Sequence, residues 1–401
     1  KGGYTMNPLD YSKSKFNDIF SDVNILFTDN IEETISDYVI RGLKRLFEGA
    51  MKAEVRGYLK AQRYERTSER VDYRNGYRHR NLVTAFGLIK DLVVPRTVKG
   101  GYQTVVFRRY QRRWDKVNRF IREIFIGGVS TREVGWVMRS LLNKEVSAST
   151  VSSITKALDK EVSKYHKRFL SDEYVYLFLD GVVQRVVSCG RAVKKLVLVA
   201  YGIKRDGHRE VIDYRLAKSE SEHDWTVLLN DLYRRGLQGE HLRLVITDGC
   251  PGLHAALDMI YPHVKRQRCW VHKLRNVANY IPRRYQNECL PEAKGIYSAP
   301  SYRVAVKRFK VWCRKWRSRV PKAVHCLEKD IEDLLVFFEN DKKLWVKIRT
   351  TNMIERLFKE LRKRTRPMSL FTNEASCDRI TYALFTKYNK KWKDRRYVVI
   401  N

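Results

Sequence analysis

Apolar positions along the chain change their period several times, and each change marks a new element. Ile31, Ile35, Val39, Leu43, Leu46 and Phe47 recur at three-to-four spacing, which predicts a helix over 31–62. Asp29 or Asn30 is placed to cap its start, and the helix suits packing or dimerisation. Residues 63–112 read differently. Asn75-Gly76 is a turn signal, and Val83, Phe86, Leu88, Ile89, Leu92 and Val93 predict short strands closed by Pro95 and Gly100-Gly101. Val117, Phe120, Ile121, Ile124 and Phe125 restore a helical stripe until Gly127-Gly128 breaks it. Ser130-Thr-Arg-Glu133 is a capping box that opens a second helix through Leu142. Ser147 caps a third, from Ala148 to about Lys164. Over 113–168 this is the pattern of a helix-turn-helix, with an ordinary three-helix bundle as the plain alternative.

From Tyr174 the pattern becomes that of buried strands. Tyr174 to Leu179 runs into Asp180-Gly181, and segments 193–201 and 210–216 are joined by a Lys-Arg-Asp-Gly turn at 204–207. Residues 224–235 read as helix, and Leu242 to Thr247 as a strand ending at Asp248-Gly249. Strands, helix, then strand predict a mixed sheet over 169–281. Residues 282–349 read as helical throughout. Segment 301–320 holds eight Lys/Arg and no acid, while 327–341 holds six acids. Trp312, Trp316 and Trp345 lie at spacings that suit a core; stacking on bases or sugars is the functional alternative. Residues 350–401 close the chain, opening with a helix whose buried stripe is Ile354, Leu357, Phe358 and Leu361. The expected class is a multidomain α+β protein.

Composition turns this fold into a functional expectation. The 401 residues suggest about two to four units. Eighty Lys and Arg against 45 Asp and Glu give a formal charge of +35, while 43% hydrophobic residues suffice for real cores. That excludes a disordered basic tail and fits poorly with a generic metabolic enzyme. Nucleic acid is the default partner of so basic a folded chain, with an anionic membrane surface as the rival. No apolar run approaches the ~18 residues of a membrane span. Lys1 to Thr5 carries no apolar leader and is expected to be a cloning remnant before a native start at Met6. Seven scattered cysteines point to a reducing interior and a cytoplasmic protein. No phosphate-binding GxxxxGK[ST] loop is present, so ATP use is not expected.

Three acids stand out as candidate chemistry. Asp180 and Asp248 each end an expected strand and precede a glycine, which aims two carboxylates at one sheet edge. Carboxylates so placed can bridge two divalent ions about 4 Å apart that activate a water or hydroxyl. Oxygen-only ligands favour Mg²⁺ or Mn²⁺. Glu355 lies on the helix of 350–366 with Thr351, Lys359 and Arg362 on one face. That pattern suits a cation-binding acid beside phosphates. Glu360 lies about 140° around the helix and faces elsewhere.

Asp248-Gly-Cys-Pro-Gly-Leu-His-Ala-Ala256, Gln267-Arg-Cys-Trp-Val-His-Lys-Leu-Arg-Asn276 and Thr350-Thr-Asn-Met-Ile-Glu-Arg356 resemble the signature blocks of IS256/Mutator-type insertion-sequence transposases. Asp180-Gly-Val fits the first block, and Arg74 to Arg80 through Val94-Pro-Arg96 resembles the upstream region of that family. The resemblance runs from about residue 30 to 390. It implies an RNase H-like catalytic domain whose DDE triad is Asp180, Asp248 and Glu355, each a ligand of two Mg²⁺ or Mn²⁺ ions. The 107-residue step from Asp248 to Glu355 exceeds the roughly 40 that a helix, a strand and their links require, and the family is similar in carrying an all-helical insertion there.

Cys269 and His272 form a C-x-x-H motif of the family. Zinc would need two more ligands, and Cys289, Cys313, His325 and Cys326 are badly spaced for it. His272 near the active site and Cys269 in the core is the preferred reading. DNA contacts are expected from Arg74, Arg78, Arg80, Ser147, Ser149, Thr150, Ser152, Ser153 and Lys156 at the N-terminal side. Arg268, Lys273, Arg275, Arg314, Lys315, Arg349, Lys359, Arg362 and Arg364 are expected to add contacts around the catalytic domain.

The expected activity is Mg²⁺-dependent cleavage and transfer of double-stranded DNA at terminal inverted repeats and a target. The family resemblance implies copy-out, paste-in transposition through a circular intermediate, in a prokaryotic, nucleoid-associated setting. Two DNA ends imply at least a homodimer. A catalytically silent DNA-binding regulator and a structure-selective nuclease on the same fold are the alternatives.

Overall fold

The computed structural model describes residues 31–142, 144–367 and 369–400. The expected caps Asp29 and Asn30 and the expected start at Met6 lie outside the described residues. Two compact units emerge. One gathers the described residues up to Phe125 with Ser130–Ile154; the other holds Ile126–Val129 and the described residues from Thr155 onward.

In the first unit, helix α1 (Ile31–Leu59) lies on a hairpin of β1 (Arg74–Thr84) and β2 (Gly87–Thr97). Part of the apolar stripe of α1 is spent there, while Ile35 and Leu46 stay exposed. Met51 joins Leu82, Ile89, Leu92, Val94 and Phe107 in one core, with Leu43, Phe47 and Trp114 against it. The hairpin turns at Thr84–Gly87, not at Asn75-Gly76. Gly76, at φ +64°, sits inside β1 where the register shifts between Arg74 and Tyr77. A left-handed glycine after asparagine serves a bulge as readily as a two-residue turn, which is why the signal misled.

Helices α2 (Asp115–Ile126) and α3 (Thr131–Leu142) follow. The capping box forms as expected: Glu133 N–H donates to Ser130 Oγ (3.2 Å) and Ser130 N–H to the Glu133 carboxylate (3.0 Å). Ser147 caps α4 (Ala148–Lys156) through the Thr150 N–H (3.3 Å). The third helix does not run on to Lys164. It breaks after Lys156 and restarts as α5 (Asp159–Lys167). The break lets Leu158 bury against Ile126 and Ala383, while Asp159 meets Arg379 at 2.8 Å.

The second unit is built on a mixed sheet in the order β5-β4-β3-β6-β7. Its strands are β3 (Tyr174–Ser188), β4 (Arg191–Lys204), β5 (Arg209–Ala217), β6 (Leu244–Thr247) and β7 (Lys265–Arg268). The first three are antiparallel neighbours; β6 and β7 run parallel to β3. Asp180 does not end its strand. β3 continues to Ser188 against β4, with Asp180 opposite Val199, because Val182 and Val186 keep the strand anchored. What ends is the parallel neighbour: the pairing of β3 with β6 stops at Leu179–Thr247.

Helices α6 (Glu222–Arg234) and α7 (Pro251–Ile260) cover one face, where Leu177, Leu179, Leu198, Trp225, Leu229 and Leu257 share a core. After β7 comes α8 (Trp270–Ala278), then α9 (Arg283–Tyr297), α10 (Tyr302–Trp316), α11 (Pro321–Glu328), α12 (Ile331–Leu335) and α13 (Trp345–Ile348). Trp312 and Trp316 are buried, and their indole N–H groups donate to Cys289 O (3.0 Å) and Glu292 (2.8 Å). Trp345 donates to Asn340 O at 2.7 Å. These tryptophans pack the helical segment, so the stacking alternative does not hold for Trp312 and Trp316. The chain ends with α14 (Asn352–Thr365) and α15 (Glu374–Trp392), the latter bringing Phe385 and Trp392 onto Tyr214 and Tyr201 of the sheet. No described helix is long and apolar enough to cross a membrane.

Beneath α15, His166 Nδ1 lies 2.7 Å from Asp213 and Nε2 3.5 Å from Asp378. Burial alone would lower its pKa, but the two carboxylates outweigh burial and raise it from 6.5 to about 9. A pKa raised on folding means the stabilisation is complete below about pH 6.5 and is lost as pH rises through 9. His166→Gln should therefore flatten the fall in melting temperature across this window, measured by thermal denaturation of both proteins at each pH. Parallel curves for the two proteins would refute the assignment.

Candidate active site

The termination of β6 creates the site. Asp180 lies on β3 just past its last pairing with β6, and Asp248 follows the last residue of β6. The Asp180 carboxylate is 7% exposed and accepts the Gly181 N–H at 2.8 Å. Asp248 accepts the Cys250 N–H at 3.0 Å, in a tight loop into α7. Gly249 makes that loop at φ +89°, and a Cβ there would run into the Arg268 guanidinium. Burial first, then the Asp248 and Glu220 charges, push the Asp180 pKa up; His272 and the Gly181 N–H pull it down, leaving it at about 7.

Glu220 is the residue that sequence reasoning missed. It precedes α6, and its carboxylate lies over Gly181: a Cβ on that glycine would sit 2.5 Å from Glu220 Oε1. Gly181 therefore does not turn the chain, as expected from sequence, but leaves room for a fourth acid. Burial and Asp248 raise the Glu220 pKa, against His272. The available signal was the small residue after Asp180, which marks a close approach.

Glu355 arrives from another direction. Ile354, Leu357, Phe358 and Leu361 are buried as expected and lay α14 on the core, which orients Glu355 outward. Its Oε1 takes the Arg275 guanidinium at 3.0 Å and His272 Nε2 at 3.3 Å, both from α8. Cys269 is fully buried. Its sulfur accepts the Thr351 N–H (3.3 Å) and hydroxyl (3.4 Å), and Thr351 Oγ1 lies 3.4 Å from His272 Nδ1. The Cys269 contact raises the His272 pKa most; burial opposes it, and Asp180 and Glu355 add to the rise, to about 9. Burial would raise the Cys269 thiol, but His272 and Thr351 outweigh it and bring it down. At neutral pH His272 is thus a cation facing the acids.

Among the described residues, no three His, Cys, Asp or Glu side chains are gathered closely enough to hold a metal as they stand. Glu355 is turned to His272 and Arg275 instead. The donor set nevertheless fits a hard divalent cation. Asp180 and Asp248 supply oxygens alone; of the neighbouring cations, Arg268 and Lys273 pair with Asp330 and Arg275 with Glu355, while His272 lies against Glu355 and also acts on Asp180.

The other expected site residues divide into two groups. Lys359 and Arg362 share a groove of about 580 Å³ with Glu355, Arg356 and Asn352. Arg314 is exposed, as are Ser149, Ser153 and Lys156. Several others are committed within the fold. Lys273 is 3% exposed and, with Arg268, pairs with Asp330. Lys315 is held by Glu288 and Glu292, and Arg349 donates to Tyr297 O at 2.9 Å. Arg74 caps the carbonyls of Ala61 and Gln62 at 3.1 Å. Ser147 is spent on its cap, while Ser152 and Arg364 are half-buried. Arg78, Arg80, Ser147 and Thr150 border one pocket of the first unit.

The sequence profile described as "Transposase, Mutator family" matches residues 20–395. The chain belongs to the Mutator family of transposases. It is 34% identical over 357 residues to the transposase for insertion sequence element ISRM5 of Rhizobium meliloti, covering 89% of each chain. It is 33% identical over 374 residues to the transposase for IS256 in transposon Tn4001 of Staphylococcus aureus, covering 92% of this chain and 95% of that one. It is 30% identical over 365 residues to the transposase for IS905 of Lactococcus lactis, covering 91% and 92% of the two chains.

The position of Asp180 in this Mutator-family chain has a measurable cost. An acid whose pKa rises on folding loses stability as pH climbs from 3.8 to about 7, and the full penalty stands above that. Asp180→Asn should stabilise the chain in EDTA at pH 8, on the order of 1–3 kcal/mol. Thermal denaturation reads this; a lower melting temperature would mean that partners already satisfy the carboxylate.

Proposed function

We propose that this chain is the DNA transposase of an insertion sequence, a DDE enzyme that cleaves and joins phosphodiesters at the ends of its element. The observation that carries the proposal is the pair Asp180 and Asp248, set side by side where β6 ends, with Glu355 brought to the same region by α14. The strand order, with three antiparallel strands followed by two parallel ones, supports an RNase H-like reading of the sheet. Helices α9 to α13, between Asp248 and Glu355, support the reading of 282–349 as an insertion. The two capped helices of 113–168 support a helix-turn-helix role in end recognition.

Asp180, Asp248 and Glu355 would hold two Mg²⁺ or Mn²⁺ ions. Such ions, when bound, supply activation of water or a 3′-hydroxyl and stabilisation of the leaving oxygen. The protein's own part is positional. Gly181 gives the Glu220 carboxylate room, Gly249 turns the Asp248 loop against Arg268, and Thr351 ties the start of α14 to Cys269 and His272. Arg275, His272, Lys359 and Arg362 offer positive charge beside Glu355 for the phosphates. No protein nucleophile is required. Copy-out, paste-in transposition between terminal inverted repeats and a target completes the reading, carried out by a homodimer or larger assembly in a prokaryotic cytoplasm, on the nucleoid and without ATP. The exposed Leu46 side of α1 is the candidate self-association face.

The test uses labelled duplexes carrying candidate element ends, with Mg²⁺ or EDTA. Wild-type protein should give nicked and joined products in Mg²⁺ alone. Asp248→Ala and Glu355→Gln should lose at least a hundredfold of both activities while retaining DNA affinity. Joining by Asp248→Ala at the wild-type rate would remove the triad assignment; binding without nicking by the wild type would leave a regulator.

A further inference from the structure

The first unit contains a pocket that the catalytic reading does not use. It has a volume of about 670 Å³ and lies between the hairpin β1–β2, the segment 110–113 and the start of α4. Five cations border it: Arg78, Arg80, Arg112, Arg113 and Lys144, against one acid, Glu145. Among the described residues, no carboxylate lies within ion-pairing distance of any of the five, although the same unit does pair Arg108 with Asp115. Sequence reading named Arg78 and Arg80 but had no reason to bring Arg112, Arg113 or Lys144 to them.

Two of these cations are built in rather than draped on the surface. Arg80 lies 4.1 Å over the Phe107 ring and donates to Gln111 O, and its Nε is buried without a hydrogen-bond partner. Arg113 donates through Nε to Asn118 at 3.1 Å. Burial, followed by the charges of Arg78 and Arg112, lowers the Arg80 pKa; burial and then Arg112 do the same for Arg113. Like charges held together at this cost are the mark of a site for an anion. The ring of Tyr110, 80% exposed, stands at the rim, with its backbone at φ +64°.

The hydroxyls at the start of α4 decide what kind of contact this is. Ser147 Oγ lies 2.9 Å from Ser149 Oγ and 3.0 Å from Thr150 Oγ1, so these hydroxyls serve one another and the helix cap. They are poor candidates for reading base edges, which need free donors and acceptors. We propose that this pocket seats a backbone phosphate of duplex DNA, so that the hairpin and the first turn of α4 grip the DNA as one sequence-blind clamp. The clamp sets register and orientation and leaves base reading to other positions. This inference rests on the reading of the first unit as DNA-binding.

Fluorescence anisotropy of the full chain in EDTA tests it, with an element-end duplex and a scrambled duplex of equal length, between 50 and 200 mM salt. Arg78 and Arg112 are both exposed, so Arg78→Gln/Arg112→Gln leaves the core intact, and a melting temperature equal to wild type confirms this. The double variant should bind both duplexes about tenfold or more weakly, by the same factor. Its plot of log affinity against log salt should be shallower by about one to two. Lys144→Gln should act in the same direction with a smaller effect.

Unchanged affinity and salt slope in the double variant, beside a wild type that binds ends and joins them in Mg²⁺, would overturn the clamp and leave the transposase reading standing. So would a loss confined to the element-end duplex, which would assign base reading to these arginines. Displacement of DNA by millimolar mononucleotide, with no effect of equal inorganic phosphate, would identify a nucleotide pocket instead. A wild type that binds neither duplex would sink both readings.

Discussion

Everything at the candidate active site depends on the parallel pairing of β3 with β6. That pairing brings Leu179 level with Thr247, and the next residue on each chain is an aspartate. Two carboxylates become neighbours in a region where one is nearly buried, with His272 the cation whose charge reaches Asp180. The hydrophobic layer of Leu177, Leu179 and Val245 against α6 and α7 holds the register and bears the repulsion. A one-residue slip would send Asp180 to the opposite face.

The surrounding charges follow from that constraint. His272 is drawn to the cationic state by Cys269, Asp180 and Glu355, and with Arg275 it keeps Glu355 from the other acids. Glu220 adds a further negative charge over Gly181. The site is thus an arrangement of partly compensated charge, in which Glu355 pairs with His272 and Arg275. Asp330, on the wall of the same pocket as Glu220 and Asp248, takes up Arg268 and Lys273.

What could be read in the sequence was mostly local. The capping box at Ser130–Glu133, the Ser147 cap and the buried stripe of α14 each involve residues within a few positions, and each forms as expected. The order of strands and the helical character of 282–349 were also legible, because apolar period survives in long elements. Non-local partners were not. β7 reads Lys-Arg-Gln-Arg and gives no strand signal; it is a strand because β6 pairs with it and because buried Gln267 accepts the Phe337 N–H at 2.7 Å. Lys273 and Arg268 read as surface charge in the sequence, but their partner Asp330 lies more than fifty residues on. Glu220 and the extension of β3 past Asp180 were hidden for the same reason.

The link between Thr351 and Cys269 has a wider meaning. Trp270 N–H donates to Arg349 O at 3.2 Å, and Thr351 is bonded to the Cys269 sulfur, so the chain leaves the sheet and returns to it at the same spot. The helices between are a closed loop whose ends are already tied. The entropic cost of such a loop grows only with the logarithm of its length. The segment from 282 to 349 is therefore a cassette within that loop: it can be lengthened, shortened or exchanged with little effect on the spacing of the acids, while α8, with His272 and Arg275 on Glu355, stays outside it.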